Sequence, residues 1–191
     1  IKANHSVEAL NIRVDVATIG VIDKLFQVNN EYRLIIDKNN GNLLYYKKIS
    51  SQPYVTNYIE TNSINHKNYL NNQISYKNYN GILSDSSPTI FSIFYLLTHN
   101  MKKIPIDKVF IIEREAKLYT ANIQNQITNK FDLFIEEKDS SKGVVEHTDI
   151  FSWAIFMEGG EKTIYLNKES NRIEKCVFKK GFISLSAILS E

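Results

Sequence analysis

Two carboxylates, Glu113 and Glu115, stand on either side of Arg114 at the end of an alternating apolar stretch. Residues two apart on a strand share a face, so this pair has the arrangement a hydrolase uses for acid and base work on one bond. The stretch lacks a third group to shift either pKa or to orient a substrate, and same-face charge closing a strand accounts for both residues without catalysis. Glu136 and Glu137 are adjacent, so a strand aims them to opposite sides. Glu146-His147-Thr148-Asp149 combines acid, base and hydroxyl, yet the same alternation keeps consecutive residues from working as one triad. The four histidines, His5, His66, His99 and His147, are dispersed without metal-ligand spacing; His99 reads as a residue favoured by the dipole at a helix end. Cys176 lies in an alternating strand and reads as a buried, inert thiol. There is no Gly-x-Ser-x-Gly elbow, no phosphate-binding Gly-x-x-x-x-Gly-Lys loop and no Gly-x-Gly-x-x-Gly fingerprint. No catalytic residue, metal ligand or cofactor is therefore assigned.

Aromatic residues carry more. Tyr45, Tyr46, Tyr54, Tyr58, Tyr69, Tyr76 and Tyr79 place seven of eleven tyrosines within 35 residues. Tyrosine has a flat apolar ring and a polar tip, which suits stacking on a sugar or lining a mixed groove, and it also suits half-wet strands. Tyr46, Tyr58 and Tyr76 are the ligand-binding candidates. Lys47, Lys48, Lys67 and Lys77 interleave with the rings, too sparsely for a nucleic-acid surface.

Composition bounds the elements that must position these rings. The 191 residues are 43% apolar, sufficient for a packed core, and the net charge of +2 creates no strong field for nucleic acid or an acidic membrane. Seven Gly, three Pro and a combined 21 Tyr and Phe favour β-structure with Asn-containing turns. A single cysteine excludes an internal disulfide. No apolar run approaches the roughly 18 residues of a membrane span, so the chain is expected to be soluble and not membrane-spanning. A start at Ile1 rather than Met agrees with removal of a signal peptide.

Period-two alternation predicts strands at Leu10–Val16 and Tyr32–Ile36. Lys38-Asn39-Asn40-Gly41 then supplies hairpin chemistry before Leu43–Tyr46. Residues 53–79 read as two or three weaker strands. A helix over 88–102 follows Ser84-Asp85-Ser86-Ser87-Pro88, with capping Ser or Asp before it, Pro in the first turn and an apolar stripe of Ile90, Phe91, Phe94, Tyr95, Leu97 and Met101. Strands resume at 109–112, 118–123 and 131–135. Ile150–Met157 reads as a buried central strand, with Trp153 and Phe151, or Ile150 and Phe156, in the core. A meander closes the chain, turning at 168–171 and 179–181. At least eight antiparallel strands with one helix argue for a β-roll or partly closed barrel, with a β-sandwich as the alternative. No linker divides the sequence, so residues 1–191 read as a single β-rich domain.

Two stretches carry a resemblance. Residues 84–97 are similar to a short helix of the form Asp-x-x-Ser-x-x-Tyr-x-x-Arg, with Ser92 and Tyr95 in register, Thr89 at the Asp position and Thr98-His99 near the Arg. Residues 163–173 are similar to a strand-turn-strand of the form Trp-Leu-Ser-x-Asp-x-x-Arg-x-Pro. There Leu166 and Arg172 correspond, while Tyr165 replaces Trp, Glu169 replaces Asp and Glu174 takes the Pro position. Both motifs belong to the bacterial domain-of-unknown-function family 3108. The resemblance implies an exported or periplasmic antiparallel β-roll of unknown activity, and it carries no catalytic residue across. The function expected is a non-catalytic cell-envelope protein whose curved sheet binds a protein, glycan or lipid. The alternatives are an envelope polysaccharide enzyme using Glu113 or Glu115, and a structural assembly subunit.

Overall fold

The computed structural model describes residues 8–39, 41–53, 55–62, 67–72, 75–78, 88–99, 109–114, 117–127, 129–138 and 149–188. The chain is mainly β and antiparallel, as its alternation predicts, and it divides into two compact units, Ile1–Ser92 and Ile93–Glu191. No composition change marks that boundary. Among the described residues each unit holds one six-stranded sheet in which consecutive strands pair, every ladder is local, and neither sheet draws a strand from the other half.

The first unit contains β1 (Ala9–Ala17), α1 (Val21–Leu25), β2 (Asn29–Asp37), β3 (Leu43–Gln52), β4 (Val55–Asn62), β5 (Lys67–Asn72) and β6 (Ser75–Asn78), with the strands in spatial order from β1 to β6. The three strands β4, β5 and β6 fall where weaker strands were expected. Alternation in β2 separates its faces sharply: Tyr32, Leu34 and Ile36 are buried, while Arg33 is exposed. The β2–β3 turn is built as its Asn and Gly imply. Asp37 accepts from the N–H of Asn39 through its carboxylate at 2.9 Å and from the N–H of Gly41 through its carbonyl at 2.8 Å. Gly41 takes a φ of 78°, where a side chain is strained.

Helix α2 (Ile90–His99) begins at the end of this unit, and the unit boundary falls within it. Its cap is Thr89 rather than a residue of 84–87, which lie outside the described residues. The Ser92 N–H donates to Thr89 Oγ1 at 3.3 Å and the Thr89 N–H donates back to Ser92 Oγ at 3.2 Å, a reciprocal capping box. Pro88 precedes the helix and bridges Asn42. Phe91 meets Tyr32 on the buried face of the sheet, ring centroids 5.0 Å apart.

The second unit contains β7 (Val109–Arg114), β8 (Lys117–Ile127), β9 (Lys130–Glu137), α3 (Ile150–Phe156), β10 (Glu161–Leu166), β11 (Ile173–Lys180) and β12 (Ile183–Ile188), with the strands in spatial order from β12 to β7. The closing meander turns where expected. Asn167 Oδ1 accepts from the N–H groups of Glu169 and Ser170 at 2.9 and 3.0 Å, and Asn171 and Gly181 hold positive φ of 54° and 57°.

Residues 150–156 correct the sequence expectation: they form the helix α3, not a central strand, and among the described residues two short helices, α1 and α3, join the one predicted. Asp149 starts α3, accepting the Ser152 N–H on Oδ1 at 2.9 Å, while its carbonyl takes the Trp153 N–H at 2.8 Å. A run that is apolar at every position but Ser152 has no clear period to separate strand from helix, and the capping carboxylate decides between them. The expected core residues change accordingly. Ala154, Ile155 and Met157 are buried, Ile150, Phe151 and Phe156 are only half-buried, and Trp153 is 38% exposed. Phe156 meets Tyr119 edge-on at 4.7 Å and Phe151 meets Phe178 at 6.2 Å, so α3 covers the buried face of the second sheet.

Candidate binding face

The first sheet has a buried face and an open face, and register decides which tyrosines reach each. Leu34 pairs with Tyr46, and Tyr46 pairs with Thr61; since Leu34 is buried, Tyr46 belongs to the buried face. One row across the open face runs Asp15, Glu31, Ile49, Tyr58, Asn71, Tyr76. The next runs Arg13, Arg33, Lys47, Glu60, Tyr69, Asn78. A third holds Ile35, Tyr45 and Asn62. Of the three sequence-named tyrosines, Tyr58 and Tyr76 therefore share the open face and Tyr46 does not; Tyr45 and Tyr69 are the tyrosine positions that join them. Tyr54 and Tyr79 lie outside the described residues.

The signal that would have sorted them is loop length. Two residues lie between Gln52 and Val55 and two between Asn72 and Ser75. An even loop exchanges odd for even positions on a given face at each hairpin, so Tyr46 on β3 and Tyr58 on β4, both even and one hairpin apart, take opposite faces, whereas Tyr58 and Tyr76 on β6, two hairpins apart, share one.

Half-buried Tyr58 receives the Lys47 ammonium over its ring, 5.1 Å from the centroid, a cation–π contact. Ile49, beside Tyr58 in the same row, is exposed. Arg13 bonds Asp15 at 3.0 Å and reaches Glu31 at 3.4 Å, while Arg33 bonds the other Glu31 oxygen. The described side chains of this face thus intersperse both signs of charge, Arg13, Asp15, Glu31, Arg33 and Lys47, beside the Tyr58 ring. Lys48, one residue from Lys47, is fully buried opposite Tyr32, a position no composition argument reveals.

The remaining candidates separate into structural roles and residues not described. Asp149 is the α3 cap, and Glu146, His147 and Thr148 lie outside the described residues, as do Glu115, His5 and His66. Glu113 stands in β7 opposite Leu118. Glu136 and Glu137 are exposed at the end of β9. His99 occupies the last turn of α2, its ring stacked on Tyr95 at 4.3 Å and its Nδ1 2.7 Å from Thr98 Oγ1. Cys176 is buried between Ile164 and Ala187, and desolvation pushes its thiol up to about 12, so it is not a thiolate at neutral pH. Among the described residues no three His, Cys, Asp or Glu side chains group as metal ligands. No helix among them is long and apolar enough to cross a membrane. Buried Lys162, which sequence reading missed, donates to the Gly160 carbonyl at 3.0 Å, and its pKa is lowered first by burial and then by Lys180.

Comparison with family models, with curated proteins and with solved structures gives no match to this chain.

Proposed function

We propose that the chain is a non-catalytic binding protein of the bacterial cell envelope that holds a protein partner on the open face of its first sheet. One observation carries the reading: the register gathers Tyr45, Tyr58, Tyr69 and Tyr76 at positions on one face, beside Lys47, Arg33 and Arg13. Tyr and Arg are the residue types enriched where proteins meet. Interspersed Asp15 and Glu31 favour a partner with charges of both signs over a polyanion. The exported location draws on the resemblance of residues 84–97 and 163–173 to family 3108.

The test immobilises the purified chain and passes over it envelope proteins, envelope polysaccharide and vesicles of envelope lipid as separate fractions. A Tyr45→Ala, Tyr58→Ala, Tyr76→Ala triple variant is expected to lose about tenfold or more in affinity for a defined protein while keeping its circular dichroism. Equal retention by the variant contradicts the reading. Retention of polysaccharide with product release that Glu113→Gln or Glu115→Gln abolishes would establish the enzymatic alternative in its place.

A further inference from the structure

The strand β1 is an edge of the first sheet: β2 pairs along one side of it, and among the described residues no strand pairs along the other. Its hydrogen-bond phase is fixed at both ends. The Lys38 N–H donates to the Glu8 carbonyl at 2.9 Å and the Thr18 N–H donates to the Val28 carbonyl at 3.2 Å. Both contacts fall on even-numbered β1-side residues, and bonded pairs alternate in an antiparallel ladder. Even residues from 8 to 18 therefore turn their backbone groups toward β2. Ala9, Asn11, Arg13, Asp15 and Ala17 turn theirs to the open side. A nine-residue edge with neither Pro, Gly, Lys nor a register shift lacks most of the devices that keep sheet edges apart, and its two charged residues, Arg13 and Asp15, are of opposite sign.

We infer that β1 pairs antiparallel with β1 of a second copy of this chain, about a two-fold axis through Val14. The phase requires odd residues to face odd residues, and charge selects among the registers that satisfy it. Centring the axis on Arg13 sets Arg13 against itself, and centring it on Asp15 does the same to Asp15. Centring it on Val14 sets Arg13 opposite Asp15 of the second copy, and Asp15 opposite its Arg13, on the open face. Asn11 then faces Ala17, and the paired odd residues form about eight hydrogen bonds. On the other face Val14 meets Val14, and Ile12 meets Val16. Those apolar residues, with Leu10, are only half-buried in one copy, whereas Tyr32, Leu34 and Ile36 of the next strand inward are buried. Arg13 and Asp15 already bond within one copy, at 60% and 58% side-chain exposure, leaving both accessible to a partner across the axis. The interface is isologous and closes at two copies.

The test is the mass of the whole chain by light scattering together with cysteine cross-linking. Twice the 22.1 kDa monomer is expected. Arg13→Glu or Asp15→Arg alone sets like charges opposite each other and weakens association by about tenfold or more, and a chain carrying both Arg13→Asp and Asp15→Arg regains the dimer. Val14→Cys is expected to form a disulfide-linked dimer under mild oxidation, since a non-bonded antiparallel pair has the required Cα separation. Ile12→Cys, whose counterpart lies roughly 14 Å away along the strand, is not. The native thiol, Cys176, is buried and does not compete. A monomer at every concentration, failure of the double exchange to restore the dimer, or equal cross-linking at positions 12 and 14 overturns the proposal.

Discussion

Tyr45 and Tyr46 are neighbours in the chain and belong to different problems. Tyr46 stands in a row with buried Leu34, whereas Tyr45 stands in the row of the opposite face with Ile35 and Asn62. The same division runs along β2, where Tyr32, Leu34 and Ile36 make core and Glu31 and Arg33 make a charge network. Residue type does not tell these faces apart, because Tyr and Lys occur on both. Pairing does, and what it teaches is that an aromatic cluster in a β sequence becomes a surface only after each hairpin has set its parity.

The largest effects should come from the buried face. Tyr32→Ala removes a fully buried ring and its contact with Phe91 and is expected to cost about 3–5 kcal/mol, with Leu34→Ala costing about 2–5 kcal/mol. Urea unfolding of both variants measures this, and Arg33→Ala, between them in sequence, should stay within about 0.5 kcal/mol of the native chain. If Arg33→Ala proved as damaging as Leu34→Ala, the assignment of faces would be wrong.

A smaller loss is expected at the start of α3. Asp149→Ala deletes the carboxylate that accepts the Ser152 N–H and should cost about 1 kcal/mol, while Asp149→Asn, which keeps an accepting oxygen, should cost less. Thermal unfolding of the two variants side by side checks the order.

The smallest effect concerns Lys162. Its folded pKa lies below 10.5, so between that lowered value and 10.5 the unfolded chain binds the more protons, and stability must rise with pH across that window. Lys162→Met should be slightly more stable than the native chain near neutral pH and should lose that rise. Unfolding curves taken from pH 7 to 10 would show it, and an unchanged slope would remove Lys162 as its source.

Legibility in the sequence followed local chemistry. Alternation exposed β1, β2 and the closing meander, and the Gly41, Asn171 and Gly181 turns could be placed because positive φ is demanded of particular residue types. The identity of α3 was hidden because residues 150–157 are apolar at every position but Ser152, which leaves no clear period, and Asp149 is one capping residue among many acids. The division at Ser92 left no trace in composition, since it falls inside a helix. For the candidate site only the clustering of tyrosines is legible: register sets Tyr58 and Tyr76 at positions on the open face and Tyr46 on the other, and it depends on two-residue loops whose ends the sequence does not mark. Buried Lys48 and Lys162 were invisible for a different reason, since lysine as a type signals exposure.

The central claim is that the open face of the first sheet is where a protein partner binds, and photo-cross-linking tests it most directly. A photoreactive phenylalanine analogue is placed in turn at Tyr45, Tyr58 and Tyr46, and each chain is irradiated with envelope protein extract. One adduct of the same mass is expected from positions 45 and 58 and none from position 46. Adducts from position 46 at equal yield, or from no position while the native chain still captures its partner, would contradict it.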